Sequence, residues 1–149
     1  MEQPKLIDIL LVEDDEGHAL LVQENIKNHG IINKIYTVTD GEMALNFLYR
    51  RGEFAADGRA PCPGLILLDL NLPKVDGFEV LRQVKNDERL KTIPVIILTS
   101  TEDQREIDRS YQLGANNYIT KPVDYKQFQE RVQGLGLFLE IVSLPSEKP

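Results

Sequence analysis

The sequence predicts an α/β protein in which a parallel sheet carries helices on both faces. Short apolar segments alternate five times with longer segments whose apolar residues recur every three or four positions. At least about 18 residues separate successive apolar segments, which suits helical crossovers between parallel strands and is too long for hairpins. Residues 65–68, Leu-Ile-Leu-Leu, follow Pro63-Gly64 and are apolar throughout, as expected for a central strand covered on both faces.

The first part of the chain provides two rounds of strand and helix. Residues 6–12 form the first predicted strand, and Asp15 is the predicted N-cap of a helix that ends near Gly30. Residues 35–38 form the second strand, and Asp40 caps the second helix. The apolar face predicted for the first helix consists of Ala19, Val22 and Ile26, widened by Leu20 and Leu21. The face predicted for the second helix consists of Ala44, Leu45, Phe47 and Leu48.

The second part provides three further rounds. Residues 51–64 are rich in glycine and proline and are predicted to form a solvent-exposed loop insertion before the third strand, which leads to Asp69. The elements that follow are a helix at 76–87, a strand at 94–98, a helix at 103–113 and a strand at 117–120. The first of these helices has Phe78, Leu81 and Val84 on one face. The second has mainly Ile107, Tyr111 and Leu113, so we expect it to be weakly anchored.

The last helix, which follows Asp124, carries more apolar residues than one buried face can hide. One core-facing stripe comprises Tyr125, Phe128, Val132, Leu135, Leu139 and Val142. A second set, outside this stripe, comprises Leu137, Phe138, Ile141 and Leu144. We therefore expect a homodimer built on the C-terminal helix region. Gly134 and Gly136 weaken the helix and suggest a bend there.

Length and composition fit a single domain over residues 1–149, with a core from about 5 to 145 and a disordered tail at 146–149. No apolar run approaches the roughly 20 residues of a membrane span, and no basic and apolar leader is visible, so we expect a cytoplasmic protein without membrane contact. The single cysteine, Cys62, agrees with a reducing compartment. The net charge of −7 argues against nucleic acid as a partner, because phosphate backbones are bound by clustered Lys and Arg.

Ionisable side chains follow the predicted strands at the edge where ligands bind in open α/β sheets. A five-stranded sheet of this class most often has the order 2-1-3-4-5, which makes the first and third strands neighbours about 4.8 Å apart. Glu13 and Asp14 would then meet Asp69, with Thr99 and Lys121 arriving from the fourth and fifth strands. Three carboxylates this close repel one another unless one is protonated or a cation lies among them, and Mg²⁺ (or Mn²⁺) suits a site of this size.

The predicted cluster favours phosphoryl chemistry. With a metal ion bound, Asp69 is a candidate nucleophile toward phosphorus and would form an acyl phosphate. The metal and Lys121 would neutralise charge on the transferred group, and the Thr99 hydroxyl would donate to a phosphoryl oxygen. Asn71, two residues beyond Asp69, is placed to offer its backbone carbonyl to the metal.

The same residues resemble the receiver domain of bacterial two-component response regulators, over essentially the whole chain. The motifs are Glu13-Asp14, Asp69 with Leu70-Asn71-Leu72-Pro73 and Asp76-Gly77, Thr99-Ser100, and Lys121-Pro122. The resemblance implies a flavodoxin-like receiver fold in which Asp69 is the phosphoacceptor for a sensor histidine kinase. Glu13 stands where the family more commonly has Asp.

The resemblance also implies the role of each site residue. Asp14, Asp69 and the Asn71 carbonyl would bind the metal, and Glu13 would bind it through water. Thr99 and Lys121 would contact the phosphoryl oxygens, and Tyr118 would act with Thr99 as a switch whose ring turns inward on phosphorylation. A cis peptide bond is implied at Lys121-Pro122.

A narrower resemblance is to the small stand-alone regulators of bacterial and cyanobacterial phytochrome kinases, which are often dimers. It depends on the insertion before the third strand, the lack of an output domain and the apolar ending at 137–145. It implies a phosphorelay protein that is a phosphoacceptor and not an enzyme, with a phytochrome kinase as its partner.

Three other functions fit the same topology less well. A Mg²⁺-dependent phosphatase would have an aspartate as general acid two residues after the nucleophile, where this chain has Asn71. A flavin carrier would bind the flavin phosphate with backbone donors in the turn after the first strand. That turn is Glu-Asp-Asp here, and its carboxylates would repel the phosphate. A module that never binds phosphate is disfavoured by Asp69 and Lys121.

His18 and His29 are expected to be exposed and lack the neighbours of a phosphoryl-carrying histidine.

Overall fold

Five parallel strands and five helices form the fold of this computed structural model, which describes residues 7–28, 33–56, 60–100 and 103–135. The strands are β1 (Ile9–Val12), β2 (Ile35–Val38), β3 (Leu65–Asp69), β4 (Val95–Thr99) and β5 (Asn117–Thr120). The helices are α1 (Glu16–Lys27), α2 (Gly41–Tyr49), α3 (Gly77–Lys85), α4 (Gln104–Gln112) and α5 (Tyr125–Gly134). The sheet order β2-β1-β3-β4-β5 confirms the predicted topology.

The three central strands, β1, β3 and β4, are buried along their whole length. Their pairing sets which residues leave the sheet together, since Val12 lies opposite Leu68 and Thr99 lies opposite Thr120. The residues that follow β1, β3, β4 and β5 therefore emerge at one edge of the sheet, as parallel pairing requires.

A hydrophobic core lies on each face of the sheet, which confirms that helices cover both faces. On one face α2 and α3 contribute Ala44, Leu45, Phe47, Leu48, Val80, Leu81 and Val84. On the other face α1 and α5 contribute Ala19, Val22, Ile26, Phe128 and Val132. The helix α4 buries only Ile107 and Ser110, which agrees with the prediction that it is weakly anchored.

The predicted width of the apolar face of α1 is wrong. Leu20 and Leu21 are 55% and 43% exposed, whereas Ala19, Val22 and Ile26 pack on the sheet. The reason is geometric: successive residues of a helix are about 100° apart, so the two leucines point away from the side that carries the other three residues. Two exposed leucines on a surface helix are available for contact with another protein.

The 51–64 segment is partly anchored, so the prediction of a solvent-exposed loop holds only in part. A short 3₁₀ turn, Gly52–Phe54, brings the Phe54 ring edge-on to Phe47 at a centroid distance of 5.2 Å. Ala60 is buried, and its carbonyl accepts a hydrogen bond from Arg50 Nε at 2.9 Å. Proline and glycine content predicted the irregular backbone but gave no sign of these contacts.

Several predictions concern residues outside the described ranges. The second apolar set at 137–144, the homodimer that depends on it, the tail at 146–149, Gly136 and His29 all lie there. Within the described residues, α5 buries Phe128 and Val132 as predicted and ends at Gly134. In the same residues, no helix has the length and apolar character needed to cross a membrane.

Candidate functional site

Three carboxylates meet at the edge of the sheet where the strands end. Glu13 and Asp14 follow β1, Asp69 ends β3, and one carboxylate oxygen from each lies within 4.8 Å of the others. This convergence follows from the pairing of β1 with β3. Glu13 and Asp69 are only 1% and 4% exposed, whereas Asp14 is exposed. The cluster is therefore buried on the side of Glu13 and Asp69 and open to solvent on the side of Asp14.

Asp15, the next residue after the acidic pair, caps α1. Its carboxylate accepts a hydrogen bond from the backbone N–H of His18 at 2.9 Å. This bond lowers the pKa of Asp15 below its ordinary value. The predicted N-cap role of Asp15 is confirmed, and His18 is exposed as predicted.

Lys121 lies between the two buried carboxylates. Its Nζ is 2.8 Å from Asp69 Oδ2, to which it donates a hydrogen bond, and 2.6 Å from Glu13 Oε1. The second contact is an ion pair by distance, although its angles depart from those of a hydrogen bond. The main chain fixes the position of the lysine, because its N–H donates to the Thr99 carbonyl at 2.8 Å. The Lys121-Pro122 bond that follows is cis, as predicted.

Burial and charge pull in opposite directions on these groups. Burial raises the pKa of Glu13 above its ordinary value of 4.5, although the nearby Lys121 works to lower it. For Lys121 burial disfavours the charged form, but the hydrogen bond to Asp69 and the negative charges of Asp69 and Glu13 outweigh it and raise the pKa of the ammonium. The site therefore stabilises the charged form of Lys121.

Glycines allow the loop after β3 to close tightly behind Asp69. The Gly77 N–H donates to the Leu70 carbonyl at 3.0 Å, and a Cβ at Gly77 would overlap the Asp69 carbonyl and lie 2.5 Å from Leu70 Cα. A Cβ at Gly41, the first residue of α2, would overlap the carbonyl of Val75 in the same loop. Asp69 Oδ1 accepts a hydrogen bond from the Asn71 N–H at 3.0 Å. The loop is therefore held against α2, and it orients the Asp69 carboxylate.

Five predicted site residues are brought together around one open cavity of about 260 Å³. It is lined by Glu13, Asp14, Asp15, His18, Asp69, Asn71, Ser100 and Lys121. Thr99 is buried at the end of β4, one residue before Ser100. Tyr118 is half-buried in the edge strand β5, where it packs against Tyr111 and Arg131.

Sequence reasoning missed Arg109, which shares a second open cavity of about 490 Å³ with Asp14 and Asn71. Its guanidinium carbon lies 4.1 Å from the centroid of the Phe78 ring, so it connects α4 to α3 beside the acidic cluster. Arg109 belongs to a mostly polar helix, where an exposed arginine gives no signal of its own. Only the register of α4 against α3 reveals it.

An apolar cavity of about 280 Å³ adjoins the site on the side of α1. It is lined by His18, Leu21, Val22, Ser100, Lys121, Pro122 and Val123. The exposed Leu21 on its rim and Lys121 in its wall place an apolar surface next to the acidic cluster. Neither the cavity nor the exposure of Leu21 was predicted.

The donor set fits a divalent cation bound by oxygen. Three carboxylates supply the hard ligands that Mg²⁺ and Mn²⁺ prefer, and the exposed Asp14 leaves the site open to water. Glu13 Oε1 is buried and accepts no hydrogen bond from the described residues, and its nearest positive charge among them is that of Lys121 at 2.6 Å. The three carboxylates carry more negative charge than one ammonium can neutralise, which favours a second cation.

Comparison with known proteins agrees with this arrangement. The model of the response regulator receiver domain family matches residues 9–133. Response regulator Rcp1 of Synechocystis sp. is 44% identical over 144 residues, which are 96% of this chain and 95% of Rcp1. The structure of the bacteriophytochrome response regulator AtBRR superposes with a TM-score of 0.83 at 39% identity and covers 97% of this chain and 100% of its own.

Two further similar structures are those of a metal-bound and a phosphorylated response regulator. The Mn²⁺-bound form of Rcp1 superposes with a TM-score of 0.74 at 43% identity and covers 94% of this chain and 99% of its own. The phosphorylated cyanobacterial phytochrome response regulator RcpA gives a TM-score of 0.75 at 42% identity, over 95% of this chain and 99% of its own. With its strand order, its acidic cluster and a family match over most of its length, this chain belongs to the response regulator receiver domain family.

Proposed function

We propose that Asp69 accepts a phosphoryl group from the phosphohistidine of a sensor histidine kinase, and that the acyl phosphate changes a protein-binding face of this chain. The observation that carries the proposal is the contact of the Asp69 carboxylate with Lys121 at 2.8 Å, in a cluster that opens to solvent through Asp14. The similarity to RcpA, which has been described in a phosphorylated form, supports it.

In the transfer step an Asp69 carboxylate oxygen attacks phosphorus and a P–O bond forms as the P–N bond to the imidazole breaks. The electron pair of the broken bond stays on the imidazole nitrogen, which takes its proton from water. Lys121 already donates to Asp69 Oδ2, and after transfer its ammonium would contact the negatively charged phosphoryl oxygens. The Asn71 N–H holds the other carboxylate oxygen in a fixed orientation.

Asp14, Asp69 and the Asn71 carbonyl are the proposed direct ligands of Mg²⁺ or Mn²⁺, and Glu13 is the proposed ligand through water. The Mn²⁺-bound form of Rcp1 supports this choice of metals. The metal would supply positive charge to the transferred group, which carries its negative charge mainly on oxygen. Glu13 would remain at Lys121, because its carboxylate already lies 2.6 Å from that ammonium.

Thr99 and Tyr118 are the proposed switch. The Thr99 hydroxyl would donate to a phosphoryl oxygen, and the Tyr118 ring would turn inward toward the space that the threonine leaves. The segment that moves would include α4, because among the described residues it buries one apolar side chain, Ile107, whereas each of the other four helices buries at least two.

The proposed partner is a phytochrome histidine kinase, because AtBRR is a bacteriophytochrome response regulator and RcpA is a cyanobacterial phytochrome response regulator. The exposed Leu20 and Leu21 on α1 offer apolar contact, and the cavity beside them reaches Lys121. A kinase helix seated on this surface would bring its phosphohistidine to the open side of the acidic cluster.

Asn71 supports a phosphoacceptor and argues against a phosphatase. Its side-chain amide cannot protonate a leaving group, which the residue at that position would have to do in a phosphatase acting on other molecules. Catalysis would thus be limited to the chain's own phosphorylation and dephosphorylation.

Intact-mass measurement tests the proposal. Incubation with Mg²⁺ and acetyl phosphate should add one phosphoryl group, and a chelator or Asp69→Asn should abolish the addition. Asp14→Asn should also reduce it, whereas Asp124→Asn, which alters the N-cap of α5 and lines neither open cavity of the site, should not. Full labelling of the Asp69→Asn variant would refute the assignment of the acceptor.

A further inference from the structure

Tyr118 is contacted from two sides by side chains of neighbouring helices. Arg131 of α5 donates from Nε to the Tyr118 carbonyl oxygen at 2.8 Å, and its guanidinium carbon lies 5.7 Å from the centroid of the Tyr118 ring. Tyr111 of α4 meets the same ring edge-on, at a centroid distance of 6.2 Å and an interplanar angle of 82°. One ring therefore connects α4, β5 and α5.

The main chain at Tyr118 is fixed by side chains as well. Because β5 is at the edge of the sheet, its outward polar groups have no neighbouring strand. Asn117 Oδ1 accepts from the Tyr118 N–H at 2.9 Å and from the Tyr111 hydroxyl at 3.3 Å, and Arg131 bonds the carbonyl. In the part of the chain that the structure describes, Arg131 forms no ion pair, so its charge faces the ring.

We propose that Arg131 is a positioning residue of the phosphorylation switch: it holds the Tyr118 ring in its present place and sets the free energy needed to turn that ring inward. The inference rests on the proposed function of Tyr118. A cation over an aromatic face is attracted by the ring, and turning the ring loses this contact together with that of Tyr111. The bond from Nε to the main chain does not involve the ring, so Arg131 stays in place while the ring turns.

The effect of removing Arg131 can be bounded. A cation over a partly exposed ring contributes at least about a two- to fivefold factor to a two-state equilibrium. Without Arg131, the inward position of Tyr118 should become more populated by about that factor in the absence of phosphate. Since coupling is reciprocal, the affinity for a phosphoryl mimic at Asp69 should rise by up to the same factor.

The experiment compares Arg131→Met, which keeps the apolar stem, with Lys126→Met, which removes an exposed positive charge from the same helix. Arg131→Lys is the third variant and keeps a charge that can lie over the ring. All are labelled with ¹³C-tyrosine, and Tyr118→Phe assigns the ring signal. Beryllium trifluoride with Mg²⁺, a reversible phosphoryl mimic, is titrated in each. Urea unfolding confirms that every variant is folded.

We expect Arg131→Met to shift the Tyr118 signal toward its beryllofluoride-bound position before any mimic is added, and to tighten binding of the mimic about two- to fivefold. Lys126→Met should match the wild type, and Arg131→Lys should lie between. Identical ring signals and affinities in Arg131→Met and Lys126→Met would overturn the inference. If the wild type takes no mimic, the proposed function fails, while the ring signal of the free variants still decides whether Arg131 holds Tyr118.

Discussion

Lys121 Nζ lies 2.6 Å from Glu13 Oε1, slightly nearer than it lies to Asp69 Oδ2 at 2.8 Å. The lysine is thus shared by two buried carboxylates that come from neighbouring strands. An aspartate at position 13 would have a side chain one methylene shorter, so the glutamate brings its carboxylate nearer to the lysine. Glu13 is therefore a second anchor for Lys121 beside Asp69.

Removing Lys121 should make the stability of the protein depend on the metal. Lys121→Ala leaves Glu13 and Asp69 buried without their cation, and we expect a loss of about 3 kcal/mol in the free energy of unfolding without metal. Millimolar Mg²⁺ should restore part of this loss, since a ligand that binds only the folded state stabilises it. Urea unfolding with and without Mg²⁺ measures both effects. Lys126→Ala is the control, and an Mg²⁺-independent loss in Lys121→Ala would contradict the shared-cation account.

Substitution by alanine should have opposite effects on stability at Gly77, which is closely packed behind Asp69, and at Gly134 of α5, which is not. Gly77→Ala places a Cβ against the Asp69 carbonyl and Leu70 Cα, and we expect a loss of about 2 kcal/mol together with slower phosphorylation. Gly134 is the last residue of α5, and a Cβ there would meet no described atom of another element within 4 Å, so Gly134→Ala should stabilise the protein by about 0.5 kcal/mol. Thermal unfolding distinguishes them. A neutral Gly77→Ala would mean that the loop after β3 moves aside easily.

Lys85 should support the end of α3 through hydrogen bonds to carbonyl and amide oxygens. Its Nζ donates to the carbonyls of Lys91 and Ile93 at 3.1 and 2.8 Å and to Asn116 Oδ1 at 3.1 Å. Lys85→Met removes these bonds, and we expect a loss of about 2 kcal/mol. Lys91→Met removes only an exposed lysine paired with Glu88 and should cost less than about 1 kcal/mol. Urea unfolding at neutral pH makes this comparison.

The same lysine predicts a pH dependence. Burial lowers the pKa of Lys85 below its ordinary value of 10.5, so the unfolded state binds more protons between the folded pKa and 10.5. Stability contributed by Lys85 should therefore rise with pH through that window. The difference in unfolding free energy between wild type and Lys85→Met should grow as the pH approaches 10.5, and a difference that shrinks would contradict the assignment.

The exposed leucine beside the site should matter for one phosphate source only. Leu21→Asp changes the rim of the apolar cavity without touching the acidic cluster. We expect transfer from an autophosphorylated kinase that loads the wild type to slow about tenfold or more, while labelling by acetyl phosphate stays unchanged. Gln133→Asp, which places a new carboxylate on the exposed side of α5, is the control for kinase transfer. Equal slowing with both donors would place the defect at Asp69 and remove the docking proposal.

What could be predicted from the sequence was whatever depends on local pattern and strand order. The run at 65–68 followed by Asp69, and the acids after β1, predicted the meeting of Glu13, Asp14 and Asp69 because parallel strands end at one edge. The exposure of Leu20 and Leu21 was missed, since composition alone does not reveal which side of a helix the sheet covers. Arg109, Arg131 and Lys85 were missed because each acts through a contact with a distant element.

The loop that carries Asn71 and Gly77 is held against α2, whereas α4 on the opposite flank buries only two residues. Under the proposed switch, the surface around α4 and Tyr118 would differ between the two phosphorylation states, whereas the surface around α2 would stay the same. A protein that binds on the α2 and α3 side would meet the same surface before and after phosphorylation, and would suit permanent attachment. A protein that binds around α4 and Tyr118 would meet a surface that exists only in one state, and so could report that state.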